Sequence, residues 1–159
     1  LQNQIPGYSM RMQEVTAAML TPQIERLEHI KNTHVENWNL LHSLVSGHDN
    51  IEVPMPLPQV DSFCDTMQFH LVGLSREKAD QFIDVMKMEG IPMQIFGAKR
   101  NARDYRQWEY VEAHKEELGD TIANIEFACD LSLQPHLTLE NMRTIAQVLH
   151  EVLAYINAQ

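Results

Sequence analysis

Glycine is scarce in this chain, with six among 159 residues. Neither a Walker loop nor a GxGxxG turn occurs, so a backbone cradle for phosphate is not expected within it. Cysteine is scarcer still. Cys64 and Cys129 have no partner spacing, which argues against a disulfide framework or a metal knuckle and for reduced thiols in a cytoplasmic protein. Positive charge is also short: 12 Lys and Arg against 22 Asp and Glu give a net charge of −10. Such a surface repels phosphate backbones and argues against nucleic-acid binding. No apolar run reaches the roughly 20 residues of a membrane span. HExxH and GxSxG are absent. His29, His34, His42 and His48 share a helical stretch without an i, i+4 pair, so no metal site is expected.

What is present suits one globular domain, with 44% hydrophobic and 21% charged residues. The chain opens at Leu1 rather than Met, so an excised or processed piece of a longer protein is expected. Apolar residues at helical spacing predict a long helix from Arg11 to Ser46, with Val15, Ala18, Met19, Ile24, Leu27, Ile30, Trp38, Leu41 and Leu44 on its face. Thr21-Pro22 predicts a kink or restart, and Gly47 a stop. Pro54, Pro56 and Pro58 mark an extended connection, with a possible edge strand at Ile51–Val53. A strand at Met67–Leu74, a helix capped by Ser75 and running to Met88, and a strand at Ile91–Phe96 follow. Helices are then expected at Asp104–Leu118 and Thr121–Ala128, a short strand at Leu131–Leu133, and a last helix from the cap Thr138 to Asn157. The fold class expected is α+β: a small mixed or antiparallel sheet covered by helices, with long N- and C-terminal helices.

The chemistry on offer is modest. Lys31, Lys78, Lys87 and Lys115 fall at helix positions beside polar neighbours, and nothing near Lys99 would desolvate it. None reads as an activated amine. Lys99, Arg100, Arg103 and Arg106 cluster, either as a solvated loop or as an anion-binding edge. The residues alone predict a domain that is not catalytic by itself.

Three segments carry a resemblance. Ile5-Pro6-Gly7-Tyr8-Ser9-Met10-Arg11-Met12-Gln13-Glu14, followed by Ala17-Ala18 and Gln23-Ile24-Glu25-Arg26-Leu27, is similar to the Gly-Tyr-Asn-Tyr-Arg-Met stretch and following helix of DegT/DnrJ/StrS-type sugar aminotransferases. The strand–helix–strand of Met67–Phe96 resembles the core of that family's small domain. The run Cys129-Asp130-Leu131-Ser132-Leu133-Gln134-Pro135-His136-Leu137-Thr138 resembles its Leu-Pro-Leu-His-Pro-x-Leu-Thr signature.

The resemblance implies the C-terminal small domain of a pyridoxal-phosphate-dependent transferase of fold type I. Residues 1–47 would be a connecting kinked helix and 48–159 an α+β core, with the large cofactor-binding domain and its Schiff-base lysine upstream of Leu1. It implies transfer of an amino group from glutamate or a similar donor to a keto, sugar-like acceptor, in a homodimer whose active sites draw on both subunits. This segment would hold no catalytic residue and bind no cofactor alone. Ser9 stands where the family has the Asn that reaches the cofactor phosphate, which makes Ser9 a cofactor contact of shorter reach. Arg11 keeps its family identity and would face a substrate carboxylate. Gln134 replaces the signature His, keeping hydrogen bonding without titration, while His136 would be a structural loop residue. Ile95-Phe96-Gly97 replaces a usual His-Tyr pair, leaving Lys99 and Arg100 to meet a substrate anion. The departures also admit a non-catalytic module, regulatory or partner-binding, derived from the same fold.

Overall fold

The computed structural model describes residues 12–98, 101, 103–108 and 118–159. Helix α1 spans Glu14–Ile24 and α2 spans Leu27–Val45. The break expected at Thr21-Pro22 falls instead at Glu25–Arg26. Pro22 sits in the last turn of α1, where its missing N–H costs a single bond, and Thr21 Oγ1 donates to the Ala17 carbonyl at 3.1 Å. The Arg26 N–H then reaches back only to the Gln23 carbonyl, and a new helix starts. The apolar face also differs from expectation. No residue of α1 is buried, and Ile24, Leu27 and Leu44 are exposed. On α2 the buried set is His34, Asn37, Trp38, Leu41 and Val45. Gly47 follows at φ +92°, a conformation that favours glycine, and the helix stops where expected.

Among the described residues four strands form one antiparallel sheet in the order β1-β2-β4-β3: β1 Ile51–Glu52, β2 Thr66–Leu71, β3 Gln94–Ile95 and β4 Ala128–Ser132. Met67 pairs with Leu131, and Cys129 sits between Phe69 on one side and Ile95 on the other. These residues are all buried, while Gln68 and Ser132 on the opposite face are exposed. The sheet therefore has one apolar face, as period-two alternation requires. β4 was expected only at Leu131–Leu133. It starts three residues earlier, where Cys129 and Leu131 alternate with Asp130, and it lies between β2 and β3. The expected strand–helix–strand unit is thus split by a later strand.

Helix α3, Arg76–Met88, is capped by Ser75 Oγ, which accepts the Lys78 N–H at 3.3 Å, and it buries Ala79, Phe82 and Met86. Helix α4 covers Gly119–Ile125, and α5 covers Leu139–Asn157. Thr138 and Asn141 close a reciprocal capping box at the start of α5, worth about 1 kcal/mol. α5 buries Met142, Ile145, Ala146, Leu149, Val152, Leu153 and Ile156, and packs on both α2 and α3. The second half of α2 therefore belongs to the same core as the segment after residue 47.

No long helix starts at Asp104. Its carboxylate takes the Arg106 backbone N–H at 2.9 Å, closing a 3-10 turn over Tyr105–Gln107, and Trp108 is extended. Residues 109–117, the rest of that expected helix and the site of Lys115, lie outside the described residues. Val111 of the same expectation lies there too.

Candidate functional site

Two regions gather polar side chains, and they lie at opposite ends of β4. The first follows its C-terminal end. The Leu133 N–H donates to the Asp65 carbonyl at 2.8 Å, which ties the loop after β4 to the chain entering β2. Asn37 of α2 is 2% exposed and donates through Nδ2 to the Leu137 carbonyl at 2.9 Å, a bond spanning 100 residues of sequence. The Leu137 N–H turns back to the Gln134 carbonyl at 3.0 Å. Between these anchors Gln134 is exposed, its Nε2 donating to Ser132 Oγ at 2.8 Å. One anchor is a buried side chain and the others are backbone bonds, so the loop is held while the Gln134 amide stays at the surface. His136 is exposed on the same loop.

Beside this loop lies His34, one helical turn from Asn37. It is 3% exposed, its Nδ1 has no partner, and its ring meets Phe63 at 5.3 Å. Lys31, a further turn back, pairs with Asp61 of the same 61–65 segment. The sequence reading took His34 only as one of several histidines without metal spacing and did not single out Asn37. The signal was there: two polar side chains three apart within the stripe that also holds Trp38 and Leu41. A buried polar group needs a reason, and Asn37 has one in the loop it holds.

The second region lies at the N-terminal end of β4. The chain leaving β3 closes on the turn between α4 and β4. The Gly97 N–H donates to the Ile125 carbonyl at 2.8 Å, and a Cβ on Gly97 would sit 3.0 Å from that oxygen and from Glu126 Cα, so only glycine permits the approach. An open cleft of about 820 Å³ lies there, lined by Arg76, Asp80, Asp104, Arg106 and Glu126 among others. Its cations are already paired. Arg76 meets Asp80 through Nε at 3.2 Å and Nη2 at 2.9 Å, and donates to the Glu126 carbonyl at 2.9 Å. Arg106 grips Asp104 through Nε and Nη2 at 2.9–3.0 Å, with Glu126 at 3.6 Å. Arg103 pairs with Asp130 and lies over the Phe96 ring at 5.4 Å. Burial pushes the Asp104 carboxyl upward, but the hydrogen bonds and charge of Arg106 outweigh it and hold the group below its ordinary value. The Arg106 guanidinium is raised in turn, chiefly by its bond to Asp104. Arg103 and Arg106 are therefore committed to carboxylates, and the anion-binding edge loses two of its four expected members.

Of the residues expected at a site, Ser9, Arg11, Lys99 and Arg100 lie outside the described residues. The neighbours of Lys99 and Arg100 are placed: Ala98 lines the cleft, and Asn101 Nδ2 donates to the Ile95 carbonyl at 2.8 Å. That is the end of the sheet away from Gln134. Ala128 to Gln134 is ~20 Å of extended chain.

A model of the DegT/DnrJ/EryC1/StrS aminotransferase family matches residues 1–150. The chain belongs to this family. No curated protein sequence matches it. Solved structures show where a DegT/DnrJ/EryC1/StrS fold of this kind recurs. One is 3-amino-5-hydroxybenzoic acid synthase, at 20% identity and TM-score 0.72, over 96% of this chain and 41% of that one. Another is a Streptococcus pneumoniae protein described as a sugar aminotransferase, in its PLP form, at 18% identity and TM-score 0.76, over 96% of this chain and 38% of that one. A third is a Helicobacter pylori aminotransferase involved in the biosynthesis of pseudoaminic acid, at 14% identity and TM-score 0.71, over 94% and 39%. The chain spans about two-fifths of the length of these structures. At such identities the likeness shows the fold.

The described lysines do not fit a covalent anchor for pyridoxal phosphate. Lys31 is paired with Asp61, Lys78 is half-buried in the first turn of α3, and Lys87 is exposed. None is enclosed and unpaired, as a desolvated amine would have to be. No helix among the described residues is long and apolar enough to cross a membrane.

Proposed function

We propose that this chain forms the small domain of a cytoplasmic, homodimeric, pyridoxal-phosphate-dependent aminotransferase. That enzyme moves an amino group from glutamate or a similar donor to a keto-sugar acceptor. The observation that carries the reading is the family match over residues 1–150. The cofactor supplies the electron sink and a lysine outside this chain holds it, so no side chain of this domain carries a chemical step. The chain's part is to present a fixed wall at a domain boundary, a common place for ligands. In this reading residues 1–47 lead in from the large domain, Ser9 reaches the cofactor phosphate and Arg11 a substrate carboxylate.

The two ends of β4 support a division of labour. Gln134 follows one end of β4 and the described cleft lies at the other, and a two-fold dimer lets each end serve a different active site. Gln134, on its pinned loop, would then bond a sugar hydroxyl at one site, and Lys99 with Arg100 would meet an acceptor anion at the other.

The test is amino-sugar formation by the intact protein from glutamate and a nucleotide-linked keto sugar. Gln134→Ala should lower kcat/KM for the acceptor ~10-fold, the worth of one neutral hydrogen bond to substrate, and leave the reaction with glutamate unchanged. Equal kcat/KM in the two proteins would take Gln134 out of the site. Absence of product from the unaltered protein across keto sugars would sink the reading as a whole.

A further inference from the structure

The turn that follows α2 brings one histidine against another in α5. His48 comes directly after Gly47, and its ring stacks on that of His150 in α5, with centroids 5.1 Å apart and planes 19° from parallel. His48 Nδ1 accepts the Asn50 backbone N–H at 3.1 Å, so that nitrogen carries no proton. His150 Nε2 is shut off from solvent and has no hydrogen-bond partner. The same turn is a junction. The Ile51 N–H donates to the His48 carbonyl at 3.0 Å. Asn50 exchanges two bonds with Val72: its carbonyl accepts the Val72 N–H at 3.0 Å, and its Nδ2 donates to the Val72 carbonyl at 2.9 Å. Asn157, in the last turn of α5, donates to Asn50 Oδ1 at 2.8 Å.

We propose that His48 and His150 form an acid-sensitive latch. At neutral pH the stacked rings close the 46–50 turn on α5. Protonation opens it, freeing β1 from β2 and loosening the end of α5.

The chemistry runs one way. A proton on His150 puts charge on a half-buried ring whose Nε2 is shut off from solvent and has no partner. Burial first, and the neighbouring charge of His48 second, hold His150 below its ordinary pKa. Among the described residues no carboxylate acts to reverse this. Glu151, next along α5, takes the Gln147 amide at 2.8 Å, and Asp49 is exposed. The face of α3 buried toward α5 is Ala79, Phe82 and Met86, and His42 of α2 is taken up by Trp38, at 4.8 Å, and Ser46 Oγ. A folded-state pKa below the unfolded value of about 6.5 means the unfolded chain binds more protons as pH falls. The stabilisation is therefore present above pH ~6.5 and lost as pH drops through the lower folded value. A metal ion is the poorer occupant. With Nδ1 accepting a hydrogen bond, the neutral His48 ring keeps its proton on Nε2, the nitrogen a metal would need. Among the described residues no third ligand joins the pair.

The experiment follows the histidine ring protons and backbone amide exchange of the intact protein by NMR from about pH 7.5 to about pH 5. His150 should titrate below ~6.5. As it does, protection factors at Ile51 and Val72 should fall ~10-fold or more while those at Phe69 and Leu131 hold. In His150→Leu that acid step should vanish. Should this variant not fold, His48→Asn keeps an acceptor for the Asn50 N–H without the ring, and it should move the His150 midpoint upward. Unchanged protection at Ile51 and Val72 through the His150 titration overturns the latch, as does a midpoint that ignores His48→Asn.

Discussion

Phe82→Ala should lower the unfolding free energy by ~3–5 kcal/mol, the usual loss for a large aromatic removed from a packed core. Phe82 is 0% exposed and sits on the face of α3 that packs on α5. The loss combines the transfer of the ring out of water with a cavity that flanking helices fill only in part. Against a typical total of about 5–15 kcal/mol it is roughly a fifth or more of the fold's stability. Urea unfolding reads it as a lower midpoint at constant slope. Phe82→Leu keeps most of the volume and should lose much less. A shift under ~1 kcal/mol for Phe82→Ala would mean the helix layer is not packed as described.

Arg11→Ala should raise the Michaelis constant for the amino donor ~10- to 100-fold, the worth of one charge-assisted, two-pronged contact to a carboxylate. The expectation rests on the resemblance of the Gly7–Met12 run and on the family match that includes it. Arg11→Lys keeps the charge but not the planar fork, and should fall between the two. Steady-state kinetics with glutamate as the varied substrate decide it. A Michaelis constant unchanged in both variants would make Arg11 an ordinary surface arginine.

Much of the fold was legible because single residues act locally. Ser75 and Thr138 cap the helices they were expected to cap, and Gly47 ends α2. The inward face of α5, with Met142, Leu149 and Leu153, follows from spacing alone. What was not legible depends on partners far away in sequence. β4 is central because β2 and β3 both pair with it, and nothing in Ala128–Ser132 announces two neighbours. A long helix was expected to start at Asp104, yet its carboxylate closes a short turn with Arg106, a choice that spacing alone does not reveal. The site shows the same limit. Gln134 was found through a motif, but the Asn37 bond that holds its loop joins residues 100 apart. The commitment of Arg103 to Asp130, 27 residues on, is a tertiary fact as well, while that of Arg106 to Asp104 is local.

α1 and the 54–60 connection present Val15, Met19, Ile24, Met55, Leu57 and Val60 at more than half exposure, on a chain two-fifths the length of its structural relatives. In the proposed reading these surfaces face the large domain. Residues at such a boundary can sense substrate without touching the reacting atoms, and Gln134 would act in that way.

The most direct test is the absorption spectrum of the intact protein with pyridoxal phosphate, before and after glutamate. A visible cofactor band that persists through dialysis and is discharged by glutamate is the predicted result, because it requires both a bound cofactor and an accepted amino group. An intact protein that retains no such band, or a band that no amino acid discharges, would contradict the assignment of this chain to a working aminotransferase.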